Sequence, residues 1–301
     1  MAKEELYTPI REKNDVLNWL LEDGNPEVKY RTMTELLDMS KDESEVKKAY
    51  NSLLSSGTIS LVMDKFKLGK EWDDVTALIA LAEFGLTRND ISTDDYIERI
   101  IKSMNLKDMK CSKILLLRNL VLLGYYEHAW VKKQVFSSFS TMREDGTFRC
   151  LDKGKRTNDS KLPDMGCYRQ TTTYLLLAAE LKKIGVVFPE FQQLINFYIN
   201  NHVVFQPNNP EKLIIEEMAG TYYPFDHVKL GLQMTMYGLS VLGAANHPNC
   251  NKAWALLESK KDSNGKYVLD KSHPYFKVGK IGESNKWITL YALLSEKYRM
   301  L

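Results

Sequence analysis

A chain of 301 residues can hold one large domain or two small ones and can bury a sizeable core. Its 41 Lys plus Arg against 39 Asp plus Glu leave a net charge of only +2, which argues against nucleic acid as the main partner, because that partner normally shows as a basic excess. No run approaches the roughly 18 apolar residues of a membrane span, and the opening MAKEELYTPIREK has no apolar stretch behind its charges, so the expectation is a cytoplasmic protein without a secretory leader.

Taken in chain order, residues 1–13 read as a flexible N-terminal segment of a single domain spanning 1–301. VLNWLLED and EVKYRTMTELLDM follow as a helical pair across the turn Asp23-Gly24-Asn25-Pro26. From there two kinds of helix alternate. VKKAYNSLL, TDDYIERIIKSM, HAWVKKQVFSSFSTM, EFQQLINFYINNH and KAWALLESKK carry charges between apolar positions at helical spacing, as half-exposed helices do. DDVTALIALAEFGL, CSKILLLRNLVLLGY, CYRQTTTYLLLAAELKKIGV, HVKLGLQMTMYGLSVLGAA and KWITLYALLSEKY are apolar on most sides and must be buried on most sides. The first four of these end on Gly85, Gly124, Gly185 and Gly243, where a left-handed residue stops a helix at little cost. Strand patterns are almost absent. The expected fold is all-α, about six hairpins with polar outer and apolar inner helices, closing into an α/α toroid; an open α-solenoid is the competing arrangement.

Two turns carry a resemblance. DGTF (Asp145–Phe148) and KKDSNGKYVLD (Lys260–Asp270) each follow an outer helix and resemble the end of the repeat in squalene and hopene cyclases and protein prenyltransferase β subunits. Phe148 and Tyr267 stand where that repeat has tryptophan, and its glutamine is missing. The C-terminal portion, and EDGNPEVKYRTMTELLDM near the start, look like small bacterial prenyltransferase-repeat proteins. The resemblance implies the toroid and an apolar cavity. Its best-known chemistries lack their residues here: there is no Asp-x-Asp-Asp acid, with Glu71-Trp72-Asp73-Asp74 the nearest approach, and Met109 stands where a zinc-binding Asp-x-Cys pair ending at Cys111 would need aspartate.

If the inner helices run parallel, their first residues gather at one rim, where helix N-termini offer unsatisfied amides and partial positive charge. Asp73 and Asp74 open one helix; they can cap it or serve as acids, with Asp226 and His227 as further proton carriers. Trp72, Tyr222, Tyr223, Phe225 and Trp287 supply aromatic faces for an apolar ligand or cationic intermediate, or else pack the barrel. Cys111, Cys150 and Cys167 with His227 have the chemistry of a tetrahedral zinc site, although no Cys-x-x-Cys pair anchors it and buried packing cysteines are common. Cys250 is expected to have no part in it. The basic link 151–166 and the long connection 202–222 could act as lids.

Three functions are compatible with this sequence. The preferred one is a small-molecule enzyme, a cyclase or transferase acting on an isoprenoid-like or other apolar substrate. The second is a non-catalytic scaffold using the helical-repeat surface. The third is carbohydrate chemistry on an α/α barrel, with Glu216 and Glu217 joining Asp73 or Asp74 as paired carboxylates.

Overall fold

The computed structural model describes residues 14–68, 71–103, 111–149, 166–223, 230–271 and 279–301, and these are mostly helical. In chain order the α-helices are α1 (Asn14–Leu20), α2 (Pro26–Arg31), α3 (Ser44–Leu54), α4 (Gly57–Lys67), α5 (Glu71–Glu83), α6 (Asp94–Ser103) and α7 (Cys111–Leu122). They continue as α8 (Ala129–Phe139), α9 (Tyr168–Lys183), α10 (Glu190–Asn200), α11 (Leu232–Val241), α12 (Asn251–Glu258) and α13 (Lys286–Arg299). A π-helical turn, Thr32–Leu36, extends α2. Among the described residues the only sheet is one small antiparallel hairpin, β1 (Phe205–Gln206) and β2 (Asn209–Leu213), in the link expected to be a lid. That link is anchored rather than free: Val203, Val204, Ile214 and Met218 are buried in the core, and the Tyr168 hydroxyl donates to the Val203 carbonyl.

Two layers follow from the two kinds of helix. Every residue of α11 from Leu232 to Val241 is buried, and α9 is buried from Gln170 to Leu181. Outer α3 instead buries only Val46, Ala49 and Leu53, one stripe at helical spacing. Inner helices contact one another in chain order, α5 to α7, α7 to α9, α9 to α11 and α11 to α13, and α13 packs against α2 and its π turn. The succession returns to α5, since Arg31 of α2 donates to the Glu83 carbonyl at 3.1 Å. The four predicted helix-stopping glycines all have positive φ, between 77° and 86°. One helix was not foreseen. α4 begins at a Ser-Gly pair that reads as a loop, yet Ser56 caps it by accepting from the Ile59 amide, and Ile59, Val62 and Phe66 bury its inner side.

The Asp-Gly-aromatic turns prove to be joints between layers. Asp145 Oδ1 accepts from the Thr147 amide, Gly146 takes φ 77°, and the Phe148 amide donates to Thr171 Oγ1 in the first turn of α9. Phe148 then stacks on Tyr174, centroids 3.4 Å apart, while its carbonyl accepts from the Cys167 amide. The second turn makes the same joint with its aspartate two residues further from the aromatic. Asp262 Oδ1 accepts from Asn264 and Lys266, the Tyr267 amide donates to Thr289 Oγ1 of α13, and the Tyr267 carbonyl accepts from Asn285. A Cβ on Gly146 would sit 2.4 Å from the Gln193 carbonyl oxygen, so the turn also fixes α10 against the hairpin.

Candidate functional site

Where the inner helices converge, each of six elements contributes one polar side chain to a buried cluster: Arg31 (α2), Glu83 (α5), Arg118 (α7), Glu180 (α9), Tyr237 (α11) and Tyr291 (α13). Arg118 bridges Glu83 at 2.5 Å and Glu180 at 3.3 Å. Tyr291 donates to Glu83 and accepts from Arg31 at 3.1 Å and from Arg118 at 3.3 Å. Tyr237 donates to Glu180 at 3.3 Å, and its ring meets Tyr291 edge-on at 5.2 Å. Toward solvent the cluster ends in Glu35, held by Arg31 at 2.6 Å and 2.9 Å, and Lys183, 3.2 Å from Glu180.

The charges balance, three cations (Arg31, Arg118, Lys183) against three carboxylates (Glu35, Glu83, Glu180). Burial pushes the Glu35 carboxyl up, but Arg31 and Lys183 outweigh it and hold it down at about 2. For Glu180 the burial cost is likewise outweighed by Lys183 and Arg118, so its carboxyl is lowered. Burial, with Glu180 beside it, pushes the Tyr237 phenol well above its ordinary range. The cluster cross-links the six elements, although Arg118 Nε and Glu180 Oε2 make no hydrogen bond within it.

One helical turn toward the helix starts, the character changes. Glu27 lies four residues before Arg31 on α2, and Trp287 four residues before Tyr291 on α13, a step of about 6 Å along each axis. Trp287 is buried between Tyr223 (centroids 6.1 Å, near edge-on), Phe84 (6.2 Å) and the Arg31 guanidinium (5.8 Å). Its start is fixed by Asn285, whose side chain accepts from the Trp287 and Ile288 amides. Glu27 is 5% exposed, and its Oε2 has no hydrogen-bond partner among the described residues. Burial raises its carboxyl, outweighing its own backbone amide, Asn25 and the attraction of Lys286. Burial also drives the Tyr223 phenol far upward, with Glu27 adding to it and Trp287 hydrogen-bonding against it.

Of the residues singled out in the sequence, Tyr223 and Trp287 meet at this level. Tyr222 is also buried, but its backbone is engaged by the Gln233 side chain, a joint of the same kind as those at Phe148 and Tyr267. Asp74 is buried with both oxygens taken by Arg99 of α6, at 2.7 Å and 2.8 Å, which ties an outer helix to α5. Glu217 is paired with Arg169, while its neighbour Glu216 is exposed. Cys111 and Cys167 are half-buried. Cys250 is buried away from them, its thiol raised to about 11 by burial. Among the described residues no three His, Cys, Asp or Glu side chains gather as a metal site. Phe225, Asp226, His227, Cys150, the link 151–165 and residues 1–13 lie outside the described residues, as do the side chains of Trp72 and Asp73.

Sequence reasoning missed Glu27 and the whole charged cluster. A signal was present for the cluster: Arg118 interrupts ILLLRNLVLL, and Glu180 interrupts LLLAAELKK. A lone charge in an otherwise apolar helix is almost never buried without a partner. Glu27 gave no such signal, because a glutamate after Pro26 reads as an ordinary first-turn acid. No family model, curated protein or solved structure matches this chain. Among the described residues no helix is long and apolar enough to cross a membrane.

Proposed function

We propose that the chain is an α/α toroid and a small-molecule enzyme, a cyclase or transferase whose apolar substrate approaches the axis at the level of Tyr223 and Trp287. Support for the toroid comes from bonds between distant helices, above all Arg31 to Tyr291, 260 residues apart. Support for the enzyme comes from one contrast: each charged side chain of the cluster has an ion pair, whereas Glu27, a turn away, is a buried carboxyl that interacts with the Tyr223 phenol and has no ion pair among the described residues. Enzymes hold acids in such surroundings, because burial tunes a carboxyl toward proton transfer near neutral pH. The cluster closes the axis below this level and so restricts any cavity to the side of the helix starts.

The test is binding. Farnesol, a neutral isoprenoid alcohol, and dimethylgeranylamine, a cationic one, should each quench tryptophan fluorescence saturably in the intact protein, and Trp287→Phe should remove that quenching. Absence of saturable binding by either would overturn the reading. Scaffold function has one observation in its favour, a cleft of about 670 Å³ between α2 and α3 with Met33 and Ala49 as floor and Lys29, Glu45 and Lys48 on its walls. None of its lining residues belongs to the charged cluster, although α2 carries residues of both.

A further inference from the structure

We propose that the cleft between α2 and α3 binds a free α-amino acid with a large apolar side chain, at a site separate from the axial one. The cleft has a volume of about 670 Å³, which is the size of a small-molecule site. α2 and its π turn bring Pro26, Lys29 and Met33 to it, and successive turns of α3 bring Glu45, Lys48, Ala49 and Ser52. Met33 and Ala49 are buried, and half-buried Leu21 and Pro26 extend them into an apolar floor.

The charges on the walls select the ligand. On the α2 side Lys29 is neutralised by Asp23 at 2.6 Å. On the α3 side the Glu45 and Lys48 side chains form no ion pair or hydrogen bond among the described residues. Their spacing would let them pair with each other. Asp64 and Lys67 of α4, and Glu180 and Lys183 of α9, stand in the same order at the same spacing and close to 2.6 Å and 3.2 Å. Glu45 and Lys48 stay open instead, an anion and a cation separated by about 4.5 Å of helix rise.

An α-amino acid carries the complementary charges, and its side chain, on a single carbon. Its ammonium donates to Glu45, and its carboxylate accepts from Lys48 and from the Ser52 hydroxyl one turn further along α3. Its side chain then lies on Met33 and Ala49, where apolar area is removed from water. A singly charged ligand meets one of the two wall charges and leaves the other as it was. A side chain embedded in a partner protein has neither charge to offer, so the free amino acid fits better than a docked segment. Both wall charges are exposed, so each ion pair adds only about fivefold in affinity.

The test is a titration of the ¹⁵N-labelled full chain followed by amide shifts. L-Phenylalanine should move the resonances of residues 45–52 saturably. Phenethylamine, without the carboxylate, and 3-phenylpropionate, without the ammonium, should each bind about fivefold more weakly. Glu45→Gln should erase the advantage over 3-phenylpropionate, and Lys48→Met the advantage over phenethylamine. Ser52→Trp, which sets an indole on the exposed wall, should block every ligand. No saturable shift with phenylalanine overturns the proposal, as does a ranking that the two charge variants leave unchanged. Equal binding of uncharged N-acetylphenylalaninamide also overturns it, and would mark the cleft as a dock for a protein segment. Farnesol binding reports on the axial reading alone, so either idea can fail without the other.

Discussion

Two levels of one axis, a single helical turn apart, treat buried charge in opposite ways. At the level of Arg118 three cations and three carboxylates satisfy one another and bind six elements together. At the level of Glu27 a carboxyl is buried near the Tyr223 phenol, with one oxygen unpartnered among the described residues. Buried ion pairs are weak evidence for net stability, but breaking one leaves an uncompensated charge at high cost. The first level is therefore sensitive to any loss, and the second is where the proposed ligand would bind. Perturbing them separately should show that division.

The largest effect should come from Arg118→Met, which removes the cation shared by Glu83 and Glu180 and leaves them only Arg31 and Lys183; a loss of about 3–5 kcal/mol in chemical denaturation is expected. A loss under 1 kcal/mol would mean that water enters the axis and that the two levels are not distinct. Next comes acid. The Glu35 carboxyl falls from 4.5 to about 2 on folding, so it contributes stability above the unfolded value that disappears as pH drops from about 4.5 through 2. Glu35→Gln should remove on the order of 2–3 kcal/mol of that acid-side slope, read from denaturation midpoints between those pH values. Tyr291→Phe deletes a hydroxyl shared by Glu83, Arg31 and Arg118, and about 1–2 kcal/mol should be lost with no change in ligand binding. The smallest effect belongs to Glu27. Its raised carboxyl favours the folded state in acid and loses that contribution as pH rises through the folded value. Relative to wild type, Glu27→Gln should therefore gain stability with rising pH, the opposite slope to Glu35→Gln.

Much of the scaffold could be read from the chain because its determinants are local. Each inner helix announces itself by apolar residues on most sides and a stopping glycine, and each Asp-Gly-aromatic turn bonds to a threonine only 22 or 23 residues away. α4 escaped because its signals, Ser56 and the spaced Ile59, Val62 and Phe66, sit behind a glycine that reads as loop. The axis could not be read because its meaning lies between helices. Glu83 and Tyr291 are 208 residues apart, and nothing near either names the other. Tyr223 and Trp287, singled out for their aromatic character, pack edge-on against each other, and Asp74, singled out for its charge, pairs with Arg99.

The bonds joining α13 to α2 also bear on how the chain is made. Arg31 leaves the ribosome long before Tyr291, and Glu35 long before Lys297, whose ammonium caps the Glu35 carbonyl at 2.6 Å. During synthesis the earlier hairpins can settle through their short-range joints, while the charges of α2, α5 and α7 wait for a tyrosine not yet translated. Until the last helix emerges, the nascent protein carries ionised groups along a seam bordered by hydrocarbon, a state that a chaperone can engage and the finished molecule conceals.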